Sequence, residues 1–196
     1  MSAVLGYFGV ERAALVGLSL GGCLAMRAAA LEPRVERVVA FDVLTDFLDV
    51  TLRQTNALLG PVLKLMLRLR AARGVNWIVA RAARRSPVVQ WGVRQGRHTT
   101  GTTTAFDFLQ RSTRYRTADV SASVRQDVLL LAGSEDHYVP TAQWKRQIGM
   151  LKHARSVTAR MFTAREHAEN HCQGGNWGLA LRTIVDWLDG TPDENG

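Results

Sequence analysis

The feature that most constrains the fold is a short apolar run that ends in a serine between glycines and continues into small residues. Residues 13–16 read Ala-Ala-Leu-Val, and Gly17-Leu18-Ser19-Leu20-Gly21-Gly22 follow them directly. Residues 20–31 are, apart from Arg27, small or apolar, and they come just before Pro33, which cannot continue a helix. This order predicts a buried strand, a tight turn at the serine and a closely packed helix.

A G-x-S-x-G pattern between a strand and a helix is typical of a serine nucleophile held on a sharp turn. We expect side chains at Gly17 and Gly21 to collide with neighbouring backbone, which would explain both glycines. The turn would lift the Ser19 hydroxyl above the sheet. The N–H of Leu20, at the start of the helix, would then donate to a developing oxyanion. The alternative is a glycine-rich turn of no catalytic use.

The rest of the chain alternates strand and helix signals on either side of a helical stretch. Continuous apolar strands that alternate with helices indicate a parallel sheet covered on both faces. The predicted strands are 37–41, 127–132 and 156–162, and the predicted helices of this part are 2–10, 142–151 and 176–188. The fold class is therefore α/β, with about four parallel strands and flanking helices.

The segment between the second and third strands has helical spacing only. Val62, Leu65, Met66 and Leu69 fall at i, i+3, i+4 and i+7, and Ser86-Pro87 is a favourable helix start. A last helix of this segment is expected at 104–115. The sequence thus predicts a core made of 1–44 and 119–196, with a helical cap inserted at 45–118.

The formal net charge of +8 comes from that inserted segment. Residues 51–118 contain thirteen of the 25 Lys and Arg residues and one of the 17 acidic residues. Basic helices, with Arg84 and Arg85 among them, could attract nucleic acid or a membrane surface. Aromatic residues do not alternate with these arginines as base stacking requires, so we expect no nucleic-acid binding. A solvated basic face is the simpler interpretation.

Compartment and membrane association follow from what the sequence contains. Two cysteines are too few for a disulfide framework, which favours a reducing compartment. The first residues of the chain do not resemble a secretory signal, and the apolar runs of the chain are shorter than a membrane span. We therefore expect a cytoplasmic protein without stable membrane insertion.

A serine nucleophile needs a base and a carboxylate that orients the base. Asp136 lies in Gly133-Ser134-Glu135-Asp136, directly after the third strand, and is the preferred acid, with Glu135 as the alternative. The base should follow the last strand, where His167 and His171 are the candidates. His171 is preferred because it lies nearer the final helix.

The spacing of His167 and His171 also suggests a zinc site. A zinc-binding helix of the H-E-x-x-H type needs its acid directly after the first histidine, but here Glu169 occupies the third position. Gly174 and Gly175 indicate a loop rather than a helix at this point. We therefore expect neither a metal nor another cofactor.

Three segments in this order resemble the α/β-hydrolase superfamily: GLSLGG around Ser19, AGSEDHYVP around Asp136 and HCQGGN around His171. The last segment looks like the dipeptidyl aminopeptidase and acyl-peptidase-like branch, which capped esterases and carbon–carbon bond hydrolases share. The resemblance implies a serine hydrolase that acts through an acyl-enzyme on an ester, amide or related small acyl substrate.

The chain departs from this family ahead of the serine. Family members have about four further strands there, and a loop after one of them supplies the second oxyanion donor. Only twelve residues precede the first predicted strand. We therefore expect the C-terminal part of an α/β-hydrolase, able to self-associate through an unpaired strand edge. A non-catalytic remnant or binding module remains the alternative.

Overall fold

The computed structural model describes residues 1–53 and 58–190 and contains one sheet of four parallel strands. In the order of the sheet, which is also the order of the chain, the strands are β1 (Ala13–Leu18), β2 (Val35–Phe41), β3 (Asp127–Gly133) and β4 (Ser156–Phe162). Flanking helices complete the predicted α/β architecture. The fold-class prediction is confirmed.

Nine α-helices lie in the described residues, and none of them is both long and apolar enough to cross a membrane. They are α1 (Ser2–Tyr7), α2 (Leu20–Ala29), α3 (Phe47–Arg53), α4 (Leu59–Arg68), α5 (Ala72–Ala83), α6 (Pro87–Thr100), α7 (Ala105–Ser112), α8 (Thr141–Met150) and α9 (Trp177–Asp189).

Strand β1 is longer than its apolar run predicts. Gly17 and Leu18 still pair with Ala40 and Phe41 of β2, so the strand continues up to the serine. Helix α1 is shorter than expected, since the backbone turns at Gly9 with a φ of 63°. Helix α7 begins after Thr104, whose side-chain oxygen accepts the N–H of Asp107.

The chain divides into two compact units. The sheet unit consists of Met1–Thr45 together with Arg116–Gly196, and the helical unit is Asp46–Tyr115. In the sheet unit, alternate residues of the central strands enter two separate cores. Val38 and Leu130 pack with residues of α2, while Val39 and Leu129 pack with residues of α9. Both faces of the sheet are therefore covered.

The helical unit has a core of its own, which includes Leu63, Leu67, Val75 and Phe108. Helix α6 begins at Ser86, whose side chain accepts the N–H of Val89, as the Ser-Pro pair predicts. In α4 the apolar stripe that signals the helix is not its buried face. Leu63 and Leu67 are buried, whereas the stripe residues Val62, Leu65 and Leu69 are exposed.

Candidate functional site

Ser19 occupies a strained turn between β1 and α2. Its φ of 56° and ψ of −119° lie in a region that L-residues rarely adopt. The Ser19 N–H donates to the carbonyl of Phe41 at 2.8 Å, and the Ser19 carbonyl accepts the N–H of Gly22 at 2.9 Å. These bonds connect the turn to β2 on one side and to the first turn of α2 on the other.

The steric explanation of the glycines is correct for Gly17 and wrong for Gly21. A Cβ atom at Gly17 would lie 2.1 Å from the carbonyl oxygen of Gly21, whereas one at Gly21 would meet no atom within 4 Å. The second close approach is instead at Gly22, where a Cβ would lie 2.5 Å from the carbonyl oxygen of Asp42. Gly21 faces open space because α2 turns its second residue outward.

Leu20 is the first residue of α2, as predicted. The first N–H groups of a helix have no acceptor within that helix. Its N–H therefore belongs to the partly positive end of α2, next to the Ser19 side chain. This is where an anion that develops at Ser19 would gain a donor.

The structure brings Ser19, His171 and Asp136 together in one hydrogen-bonded series. The Ser19 Oγ lies 2.9 Å from Nε2 of His171, and Nδ1 of the same ring lies 2.6 Å from Oδ2 of Asp136. All three residues belong to the sheet unit. A hydroxyl, an imidazole and a carboxylate in this order can transfer a proton away from the hydroxyl.

Asp136 is fixed by the loop that follows β3. Its Oδ1 accepts the N–H groups of Tyr138 at 2.7 Å and Val139 at 2.9 Å, which leaves Oδ2 for His171. Its side chain is 2% exposed. Glu135, the alternative acid, is exposed.

His171 begins a short 3₁₀ turn, His171–Gln173, just before α9. Cys172 and Gln173 both have left-handed backbone, with φ values of 51° and 49°. His167, the alternative base, is exposed. Its carbonyl oxygen would lie 2.1 Å from a Cβ at Gly175, so Gly175 lets the two parts of this loop approach closely.

Asp42 also belongs to this site, although the sequence motifs did not predict it. It directly follows β2, has a φ of 54° and is 1% exposed. Its carboxylate accepts the backbone N–H of Cys172 and, at 3.1 Å, the side-chain Nε2 of Gln173. Its Oδ2 lies 3.4 Å from Nδ1 of His171. The rule that selected Asp136, a carboxylate just past a strand end, would have found it.

The two carboxylates differ in their electrostatic surroundings. Burial would raise the pKa of Asp136, but the hydrogen bonds from His171 and from the Val139 and Tyr138 N–H groups hold it below its usual value. Burial dominates at Asp42 and raises its pKa to about 6, although Cys172 and Gln173 donate to it. The nearby charge of Asp136 adds to this effect.

The imidazole of His171 is a strong base in this setting. Burial disfavours its charged form, but hydrogen bonds to Asp136 and Cys172 and the charges of these groups outweigh burial. Together they raise the pKa of His171 to about 10.

One set of described side chains could hold a metal ion. The ligand atoms of Asp42, His171 and Cys172 all lie within 4.8 Å of one another. This set differs from the His167 and His171 pair considered above. Its carboxylate already accepts hydrogen bonds from the Cys172 backbone and from Gln173.

The chain is similar to a curated protein that is named a hydrolase. No family model matches the chain. The chain is 26% identical over 184 residues to Hydrolase acrC of Aspergillus aculeatus. The aligned region covers 92% of this chain and 42% of that protein. The similarity thus spans less than half of that relative.

Solved structures of hydrolases superpose on most of the chain. The crystal structure of the 2,6-dihydroxy-pseudo-oxynicotine hydrolase superposes with a TM-score of 0.62 and 19% identity. The superposed region covers 95% of this chain and 44% of the chain of that hydrolase. A proline iminopeptidase of Mycobacterium smegmatis matches 95% of this chain and 68% of its own, with a TM-score of 0.56 and 18% identity. The chain therefore has the α/β-hydrolase fold over the part of these molecules that it spans.

Proposed function

We propose that this chain is a serine hydrolase that cleaves an ester, amide or related acyl substrate through an acyl-enzyme. The observation that carries the proposal is the hydrogen-bonded series from Ser19 through His171 to Asp136, with contacts of 2.9 and 2.6 Å. The similarity to named hydrolases supports the same reaction class. Ser19 is the nucleophile, His171 the base and Asp136 the acid that orients it.

In the first half of the reaction, Ser19 becomes acylated. Nε2 of His171 takes the hydroxyl proton while Oγ forms a bond to the substrate carbonyl carbon. The imidazolium that results is stabilised by Asp136, which stays ionised. The tetrahedral intermediate then expels its leaving group, and that group takes the proton from Nε2.

In the second half, water removes the acyl group. His171 takes a proton from the water as its oxygen bonds to the acyl carbon. The bond from that carbon to the Ser19 Oγ breaks, and the proton on His171 returns to Oγ. A carboxylic acid leaves and the site is restored.

Negative charge develops on the carbonyl oxygen in both halves. The N–H of Leu20, at the start of α2, is the donor we assign to that oxygen. Loss of one such donor typically costs about 10²–10³ in kcat. Ser19 is held at a left-handed φ, so its hydroxyl and this N–H keep a fixed relation through the reaction.

We propose that the helical unit selects the substrate as a cap. Its support is its place in the chain, since Asp46–Tyr115 is inserted between β2 and β3 and has a separate core. The resemblance of the HCQGGN segment around His171 to carbon–carbon bond hydrolases gives a second candidate reaction, cleavage of an activated carbon–carbon bond next to a carbonyl. The same three residues would perform it. We propose the dipeptidyl aminopeptidase and acyl-peptidase-like branch as the relatives with this arrangement.

Labelling with a fluorophosphonate probe tests the proposal. We expect the chain to become labelled and Ser19→Ala to lose the label. Ser134→Ala is the matched control, because Ser134 also follows a strand of the sheet unit and should keep labelling unchanged. Labelling that survives Ser19→Ala would mean that Ser19 is not the nucleophile. A folded chain that is never labelled would favour the non-catalytic binding module.

A further inference from the structure

The charged surroundings of His171 contain one carboxylate more than the proposed reaction uses. Oδ2 of Asp136 accepts a hydrogen bond from Nδ1 of His171 at 2.6 Å, and Oδ2 of Asp42 lies 3.4 Å from the same nitrogen. The two carboxylates come from the ends of adjacent strands, β3 and β2. Both approach the side of the ring away from Ser19. A buried carboxylate costs free energy to ionise, so its presence here needs a reason.

Asp42 also shapes the backbone that carries the histidine. Its carboxylate accepts the N–H of Cys172 and the Nε2 of Gln173. These two residues have left-handed φ values of 51° and 49°, which other contacts must stabilise. The carboxylate therefore holds the turn that directly follows His171.

We propose that Asp42 is a positioning residue for His171, which fixes the 171–173 turn and presents a second carboxylate to Nδ1 beside Asp136. This inference rests on the proposed hydrolase function. It gives the imidazolium formed in each half-reaction two neighbouring carboxylates instead of one. It also gives the Nδ1 proton another acceptor if Asp136 is removed.

The remaining titratable groups around the ring come from neighbouring parts of the same site. Cys172 follows His171 in the chain and hydrogen-bonds with it. The rings of Tyr138 and His137 lie 5.1 and 6.5 Å from the His171 ring, centroid to centroid. The Tyr138 and His137 rings bring no carboxylate near Nδ1, and Cys172 is kept in every variant, so the two aspartates are the groups whose charge is varied.

Asp42→Asn removes the charge and keeps the shape. The amide oxygen can still accept the N–H of Cys172. The new amide N–H₂ would face the side chain of Gln173, whose Oε1 is buried without a hydrogen-bond partner. Rotation of the Gln173 amide by half a turn lets that oxygen accept from Asn, so we expect the variant to fold. Asp127→Asn, at the start of β3, is the matched control for the same chemical change.

The activity test is a cycle of single and double variants. Where one aspartate alone serves the histidine, its change to Asn costs about 10⁴-fold in kcat. With Asp42 present, Asp136→Asn should cost only about 10²-fold, and Asp42→Asn about tenfold with KM nearly unchanged. The double variant should lose about 10⁴-fold. A double variant no slower than Asp136→Asn would overturn the proposal.

An NMR titration of the His171 ring tests the same inference without a substrate. An opposite charge within about 4–6 Å raises a histidine pKa by roughly 1–3 units. The His171 pKa should therefore fall in Asp42→Asn and fall further in the double variant, while Asp127→Asn leaves it unchanged. An unchanged pKa in Asp42→Asn would overturn the inference. If only the hydrolase proposal failed, the pKa would still fall while labelling of Ser19 was absent.

Discussion

A Cβ atom at Gly17 would lie 2.1 Å from the carbonyl oxygen of Gly21, while a Cβ at Gly21 would meet nothing within 4 Å. The two glycines of the serine motif therefore have different tasks. Gly17 allows the strand to pass against the first turn of α2. Gly21 is a helical residue on an open face.

We expect Gly17→Ala to destabilise the fold and Gly21→Ala to be tolerated. Overpacking against backbone costs roughly 1–3 kcal/mol or more, whereas Ala in a helix is better than Gly by about 0.5–1 kcal/mol. Urea denaturation measures both changes, and fluorophosphonate labelling reports whether Ser19 stays in place. Equal damage from the two substitutions would contradict the assignment of Gly17 as the close contact.

His171→Ala should abolish turnover and labelling, and His167→Ala should leave most of both. The reason is that Nε2 of His171 lies 2.9 Å from the Ser19 hydroxyl, while His167 is exposed. Rates with an activated ester measure the difference. A greater loss of activity in His167→Ala than in His171→Ala would mean that His167 is the base.

The pH dependence of kcat/KM should show an ascending limb on the alkaline side of neutrality. His171 must be neutral to accept the Ser19 proton, and its neighbours raise its pKa to about 10. At lower pH the ring holds a proton, so the rate should climb as pH rises toward that value. The Ser19→Ala variant gives the background of hydroxide-driven hydrolysis to subtract. A limb centred near 6.5, the ordinary histidine value, would contradict this expectation.

Asp42→Asn should raise the melting temperature while it slows the reaction. Burial raises the pKa of Asp42 to about 6 in the folded chain, above its value of 3.8 when unfolded. Ionisation of Asp42 therefore lowers the free energy of unfolding. This loss is absent below the unfolded pKa and complete above the folded pKa. Thermal unfolding should show a gain at pH 8 and none at pH 3.5. A gain of equal size at both pH values would contradict this source of the effect.

The chain should self-associate through β1. This strand lies at one edge of the described sheet, and Val16 and Leu18 on it are 51% and 43% exposed. Val16→Lys should therefore shift light scattering toward the monomer. Val157→Lys is the control, since Val157 lies on β4 at the opposite edge and is 36% exposed. An equal effect of both lysines would argue against a specific interface at β1.

The sequence predicted what depends on local pattern. Strand and helix order follows from apolar periodicity, and Ser19, Asp136 and His171 follow from their positions after strands. Helix limits were less accurate, because α1 stops at a glycine with left-handed backbone and β1 extends through pairing with β2. Pairing partners are distant in the chain, so periodicity does not report them.

Its position after β2 makes Asp42 a candidate from the sequence, but its role is harder to predict. Its significance depends on three contacts with residues about 130 positions away, and on a backbone angle that no sequence pattern marks. Gly21 shows the converse error. The motif predicts a steric reason for this glycine, yet the direction in which α2 turns leaves its position open.

The two ends of the helical insertion run side by side along the chain. The N–H of Thr117 donates to the carbonyl of Thr45 at 3.0 Å in the sheet unit, and the N–H of Phe47 donates to Tyr115 at 3.0 Å in the helical unit. The chain thus departs from and returns to almost one point. Such an insertion can be exchanged, lengthened or redesigned as a module while the strand register stays intact. Evolution can then diversify this segment at little cost to the residues around Ser19.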